Sequence, residues 1–187
     1  MLNYLKMPRK GLAAVAVLGA TMGSALADGL YVGGGVDYAK VNVDCRGLNT
    51  CHKFSPGGNV LVGYPLSDRF AVEAGYVDLG RPTTVIAGTE LGVRSRAAGV
   101  RGVAFMPLDR DARGYVGLGL NWAQSKITSA LGDQSRDAAA PSLAAGIDYS
   151  LFPRVALRSE IMAMRLKSPG DNGYTATGFS FGLTYQF

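Results

Sequence analysis

From Gly178 to the end of the chain, Phe179, Phe181, Leu183, Tyr185 and Phe187 alternate with Gly178, Ser180, Gly182, Thr184 and Gln186, so that every second residue is apolar. A period of two sends one set of side chains to one face of a strand and the other set to the opposite face. The same alternation sets Leu143, Ala145, Ile147, Tyr149 and Leu151 against Ser142, Ala144, Gly146, Asp148 and Ser150. It also sets Val116, Leu118, Leu120 and Trp122 against Tyr115, Gly117, Gly119, Asn121 and Ala123. Helical spacing is scarce after residue 28. The pattern predicts eight strands, at 29–41, 54–64, 69–79, 91–106, 114–128, 139–151, 154–166 and 174–187.

The connections fall into two kinds. Those at 65–68, 107–113 and 152–153 contain Pro, Asp or both and read as tight or moderately short turns. Those at 42–53, 80–90, 129–138 and 167–173 are mostly longer. If the first strand starts on the periplasmic side, every longer connection falls at the outer end, which is the loop asymmetry of outer-membrane barrels. Alternation alone also fits a soluble, lipocalin-like barrel with its apolar residues inward. Residue size separates the two, because an eight-stranded barrel encloses an interior just wide enough for side chains. Here the polar face is built from Gly, Ser, Ala and a few charges, and the apolar face carries Phe, Tyr, Trp and Leu. Aromatic residues also gather near strand ends, Tyr64, Phe70, Tyr149 and Phe152 beside the short turns and Tyr38, Tyr76, Trp122 and Tyr174 nearer the long loops. Two interfacial girdles have that arrangement. The expected fold is all-β, an eight-stranded antiparallel up-and-down transmembrane β-barrel.

Composition narrows the alternatives. Glycine supplies 26 of the 187 residues, about twice its usual share, and charged residues make up only 18%. No apolar run of about 20 residues follows residue 27, which argues against membrane helices. Nine Tyr and seven Phe supply too much apolar surface for a disordered chain. At the amino terminus, Lys6, Arg9 and Lys10 precede an uncharged stretch from Gly11 to Leu26, which closes on Ala25-Leu26-Ala27. This is the layout of a secretory signal at 1–27, cleaved before Asp28 to leave 28–187 as the barrel domain. The stretch is short, rich in Ala and Gly and without a stop-transfer flank, which disfavours an anchor helix. Its three basic residues leave +2 of the formal +5 charge on the remainder, so the basic balance gives no reason to expect nucleic acid. Cys45 and Cys51 would close a small loop by a disulfide in an oxidising compartment. His52 is adjacent, but three clustered candidates without a fourth ligand make a poor zinc site, and no metal or cofactor is expected.

The segment Tyr64-Pro65-Leu66-Ser67-Asp68-Arg69-Phe70-Ala71-Val72-Glu73-Ala74-Gly75-Tyr76-Val77-Asp78-Leu79-Gly80 resembles the second hairpin turn and third strand of OmpA-like outer-membrane β-barrels. Tyr174 to Phe187 resembles their closing strand, and the run Phe179, Phe181, Leu183, Tyr185, Phe187 is similar to the signal that the barrel-assembly machinery reads in bacterial barrels. The resemblance extends over all of 28–187. Nothing follows the barrel, so a barrel-only member of OmpX-like size, without a peptidoglycan-binding domain, is expected.

Strand phase also sorts the charges. Glu73 lies opposite Phe70, Val72, Ala74 and Tyr76, and Arg158 and Glu160 oppose Val155, Leu157 and Ile161. Asp148 and Asp37 share the inward phase, as does Arg101 if Ala98, Val100, Gly102 and Ala104 face lipid. A basic residue facing hydrocarbon at mid-depth costs roughly 2–4 kcal/mol, so these charges belong in the lumen, where they need partners. A cluster of Glu73, Arg101, Arg158 and Glu160, with Asp148 on the same face, is expected across the interior. Its counterpart in OmpA-like barrels implies a plug or gate, and both a packing core and a regulated conductance path fit the residues. Arg94 and Arg96 share the outward phase near the outer end, where they would meet lipopolysaccharide phosphates unless a bulge before Ala97 turns them inward. Lipid A-modifying barrels rely on a histidine near the membrane surface. The one histidine here, His52, sits beside Lys53 with Ser55 as the nearest downstream hydroxyl, and catalysis is not expected. Gly33-Gly34-Gly35 lies inside a strand and is not a phosphate cradle. The expected product is a monomeric integral outer-membrane protein with a structural or surface-interaction role. Its expected partners are outer-membrane lipids, lipopolysaccharide and the assembly machinery; a narrow channel for small solutes is the alternative.

Overall fold

The computed structural model describes residues 29–41, 50–51, 54–80, 83–86, 89–129, 132–166 and 174–187, with side chains over 29–40, 54–80, 94–126, 135–166 and 174–187. The signal segment at 1–27, the Cys45–Cys51 pairing and His52 lie outside what is described. The strands in chain order are β1 (Tyr31–Val41), β2 (Thr50–Cys51), β3 (Phe54–Pro65), β4 (Phe70–Asp78), β5 (Thr83–Ile86), β6 (Thr89–Pro107), β7 (Ala112–Ser129), β8 (Gly132–Phe152), β9 (Val155–Leu166) and β10 (Tyr174–Gln186).

All pairings are antiparallel. β1 lies between β3 and β10, and the β6–β7 pairing closes the ring β6-β4-β3-β1-β10-β9-β8-β7. The result is a closed eight-stranded barrel, in which neighbours satisfy the backbone groups that an open edge would expose to lipid. The short β2 and β5 pair with each other, and β5 also pairs with β6, so both prolong the wall at the long-loop end. At the other end the turns are tight: the Leu66 and Ser67 N–H groups donate to Phe70 O, and those of Leu108 and Asp109 donate to Ala112 O.

β8 differs most from expectation. It begins at Gly132, and the β7–β8 ladder runs without interruption to Ser129 opposite Gly132, where a loop at 129–138 was predicted. Ser135, Arg136 and Asp137 are all exposed. The hydrogen-bonded ladder continues there while water bathes both faces, so the alternation that marks a strand is missing from the sequence.

Side chains sort by face as the period of two requires. Val116, Leu118, Leu120 and Trp122 of β7 are 44–71% exposed, and Phe179, Phe181, Leu183 and Tyr185 of β10 are 39–51% exposed. Asp37, Glu73, Asp148, Arg158 and Glu160 are buried inside. The interior is not filled by small residues and charges alone. Near the short turns, Tyr31, Ala71, Val103, Phe105 and Tyr115 form one apolar layer, with Leu61 against it. Near the long loops, Ala39, Val77, Leu79, Ala97, Ala123, Ala140, Met164, Leu166 and Ala176 form another. Tyr174 belongs to this upper layer and not to the outer girdle, for it packs against the cluster and its hydroxyl lies 3.1 Å from Ser95 Oγ. The charged residues occupy the space between.

Candidate functional site

Glu73 and Arg101 face each other across the β4–β6 pair, and Asp148 and Arg158 across the β8–β9 pair. Register alone therefore brings opposite charges together on adjacent strands. Arg158 links the two pairs across the lumen. Its Nε and Nη2 grip the two Asp148 oxygens at 2.7 and 2.9 Å, and its Nη1 donates to Glu73 Oε1 at 2.7 Å. Arg101 bridges in the other direction, from Nε to Glu73 Oε2 and from Nη2 to Glu160 Oε2 at 2.8 Å. Glu73, Arg101, Arg158, Glu160 and Asp148 thus form one connected network.

Three further residues complete it. The Tyr31 hydroxyl donates to Glu73 Oε1, and the Tyr115 hydroxyl donates to Glu160 Oε2 at 2.7 Å. The Tyr115 ring also carries the Arg158 guanidinium 4.6 Å from its centroid. Arg113, which the sequence places in a turn, lies in β7, and its Nη2 reaches Asp148 Oδ2 at 3.0 Å. Its guanidinium stacks 4.2 Å over the Phe105 ring. Three guanidinium groups and three carboxylates therefore balance, with bidentate and charge-assisted bonds that offset the cost of burial.

Two glycines make this geometry possible. A Cβ at Gly63 would lie 2.1 Å from the Tyr31 ring, and one at Gly146 would lie 2.3 Å from Ser159 O and 2.5 Å from the Tyr115 hydroxyl. Inward-facing glycine on one strand leaves the space that the tyrosine of its neighbour fills. The sequence shows each glycine and each tyrosine in the inward phase, and the register of the neighbouring strands sets them opposite one another.

Asp37 lies apart from the network. Its Oδ1 accepts from Asn59 Nδ2 at 2.8 Å, and it borders a cavity of about 70 Å³ on the long-loop side of the ion pairs. Toward the short turns are a cavity of about 410 Å³, bordered by Tyr31, Phe105 and Arg113, and one of about 110 Å³, bordered by Arg113, Arg154 and Thr184.

At the outer rim, Arg94 and Arg96 face outward. The β6–β7 register is unbroken from Gly92 to Pro107, and Ser95 and Ala97 are buried while Arg94 and Arg96 are exposed, so no bulge turns the arginines inward. Asp78 holds both, Arg94 Nη2 at 2.6 Å and Arg96 Nε at 3.1 Å. Gln124, opposite Arg96, lies two residues beyond Trp122 along β7, which sets the cluster one step outside that ring. At the opposite end, Phe187 is half exposed, its N–H donates to Leu30 O, and its ring meets Tyr185 edge-on at 5.2 Å.

The family described as "Outer membrane protein beta-barrel domain" matches residues 11–187 of this chain. Among solved structures, the fold is similar to Ail, the attachment invasion locus protein of Yersinia pestis, at 16% identity and a TM-score of 0.60, over 86% of this chain and 99% of that one. It is similar to neisserial surface protein A at 16% identity and a TM-score of 0.64, over 86% and 98%. It is also similar to OprG of Pseudomonas aeruginosa at 14% identity and a TM-score of 0.60, over 86% and 97%. No curated protein sequence matches. At these identities the likeness concerns the fold.

Proposed function

The chain belongs to the outer-membrane β-barrel family, and from that membership we propose that it is a structural or surface-interaction barrel with a plugged polar lumen and no catalytic role. It resides in the outer membrane as an OmpA-like eight-stranded barrel. The plug reading is carried by one observation: Glu73, Arg101, Arg158, Glu160 and Asp148 join β4, β6, β8 and β9 across the interior. An ion crossing this layer would have to part charges that are bonded to one another across four strands. Planar-bilayer recording of the refolded protein tests the reading. Quiet membranes with rare, brief openings are the expected result, and stable conductance at every insertion would overturn it. The channel reading draws on the cavities on either side of the network, and in it the same Arg158 contacts would be the barrier.

The remaining parts of the proposal concern biogenesis and partners. Residues 1–27 act as a cleaved export signal, and the terminal run from Phe179 to Phe187 is read by the assembly machinery. Arg94 and Arg96 contact lipopolysaccharide phosphates. Each guanidinium carries five donors, of which Asp78 engages one nitrogen on each side chain, and both arginines are about half exposed beyond Trp122. Replacing both by Ser is expected to reduce co-purifying lipopolysaccharide, and unchanged retention would count against the contact. An unaltered lipid A mass spectrum on expression is the expected outcome for a barrel without catalysis.

A further inference from the structure

The cavity of about 110 Å³ at the short-turn end differs from the rest of the lumen in its charge. Its polar wall consists of Arg113, Arg154, Gln186, Ser150, Thr184 and Tyr31, and Phe152, Pro153, Val155 and Ala156 complete it. No carboxylate borders it. Asp68 borders the neighbouring cavity of about 410 Å³, and Asp109 and Asp111, on the β6–β7 turn, border neither. The Tyr31 and Thr184 hydroxyls donate elsewhere, to Glu73 and to Ala156 O. Both arginines keep donors in reserve. Arg113 commits Nε and Nη2 to Asp148, yet its side chain is 42% exposed where that of Asp148 is 1% exposed, so the exposed edge is the one that carries Nη1. The Phe105 ring lies under its guanidinium and fixes the plane of the group. Arg154 is exposed, and its guanidinium has no hydrogen-bond or ion-pair partner among the described residues. Its backbone is tied down all the same, because Gln186 N–H donates to Arg154 O at 2.9 Å.

Charge balance leads to the same place. The network pairs Glu73, Asp148 and Glu160 with Arg101, Arg113 and Arg158, so Arg154 adds a positive charge that nothing in the pocket offsets. A concavity lined by one sign of charge concentrates ions of the other. We propose that this pocket binds a phosphate group, with the guanidinium groups of Arg113 and Arg154 as its charged donors and Gln186 Nε2 and the Ser150 hydroxyl as its neutral ones. Guanidinium groups match phosphate oxygens with paired, charge-assisted bonds, and a tetrahedral anion accepts from donors on several sides at once. The volume is several times the roughly 30 Å³ that a water occupies in the liquid, which leaves room for the group. Phe152 is 68% exposed two residues before Arg154 and belongs to the aromatic girdle, so the pocket lies at the height of the lipid headgroups. Free phosphate and a phospholipid headgroup carry the same chemistry to it.

Nuclear magnetic resonance of the refolded barrel in maltoside micelles, which contain no phosphate, tests the site. Titration with sodium phosphate, against sodium chloride of equal ionic strength, is expected to shift the Nε–H resonances of Arg113 and Arg154 to saturation. Arg154→Gln is expected to weaken the affinity about tenfold or more, the loss of a charge-assisted contact, while the unboiled barrel keeps its gel mobility. Arg69→Gln removes the same charge from the same end of the barrel without touching the pocket, and it is expected to change the affinity by less than about twofold. Nanodiscs of phosphatidylethanolamine and phosphatidylglycerol separate the two sources. Resonances already at their bound positions without added phosphate identify the headgroup as occupant, and a shift only on adding phosphate identifies the free ion. The inference is overturned by resonances that respond in neither setting. It is equally overturned if Arg69→Gln weakens binding as much as Arg154→Gln, which would reveal a diffuse basic rim in place of a site.

Discussion

Carboxylates held between two arginines occur both in the lumen and at the rim, and the surroundings make the two clusters different devices. In the lumen, Glu73 lies between Arg101 and Arg158 with its side chain 1% exposed, and the guanidinium groups that hold it are in turn held by Glu160 and Asp148. At the rim, Asp78 lies between Arg94 and Arg96 with its side chain 20% exposed and the arginines at 50% and 43%. Both clusters draw arginines from β6. Inside, each arginine is bonded to a carboxylate on another strand, so the cluster ties the wall together. Outside, water screens the pairing and donors remain, so the cluster contributes little to stability and can meet an anion.

The largest expected effect comes from breaking the inner cluster. Glu73→Ala removes the carboxylate on which Arg101, Arg158 and Tyr31 converge. Removing one partner of a buried ion pair costs about 3–5 kcal/mol, because the charges left behind are neither solvated nor paired. Urea unfolding of the barrel refolded into lipid vesicles should show a loss of that size. A loss below about 1 kcal/mol would mean that water enters the lumen freely, and the inner cluster would then resemble the rim.

A smaller effect is expected from the fit of the tyrosines. Gly146→Val places a side chain against both Ser159 O and the Tyr115 hydroxyl, and overpacking of this kind costs about 1–3 kcal/mol. Tyr115→Phe removes only the bond to Glu160, which keeps Arg101, so about 1 kcal/mol is expected. The same unfolding assay ranks the two, and the reverse order would show that the lumen at Gly146 has room for a side chain.

What could be read from the sequence follows from where a face meets lipid. Period-two alternation located the wall strands wherever one face is greasy, and it assigned Glu73, Arg101, Asp148, Arg158 and Glu160 to the inward phase. It failed in the outer part of β8, where Ser135, Arg136 and Asp137 are all exposed, and it could not separate Tyr174 of the upper lumenal layer from the girdle aromatics. Arg113 was hidden because it lies next to a turn, and its partner Asp148 is set by the β7–β8 register, where the two are directly opposed. Strand phase gives the direction of a side chain. Which side chain it meets depends on the stagger between strands, which local pattern does not encode.

The smallest effect on stability is expected at the rim, and it sharpens the contrast most. Asp78→Asn removes the charge that Arg94 and Arg96 share and keeps a side chain of similar size. Exposed pairs contribute about 0–1 kcal/mol, so unfolding should shift within that range, and the shift should fade further in high salt. Lipopolysaccharide retention should move the other way. With Asp78 neutral, two guanidinium groups face outward without an internal anion, and a headgroup phosphate gains the donors that Asp78 had held. Mass spectrometry of the lipid that co-purifies with wild type and Asp78→Asn checks this. Increased retention with near-wild-type stability would separate the rim from the lumen as a binding element. Reduced retention would mean that Asp78 serves to hold the arginines in the geometry that phosphate requires, and a large loss of stability would place the rim cluster in the same structural role as Glu73.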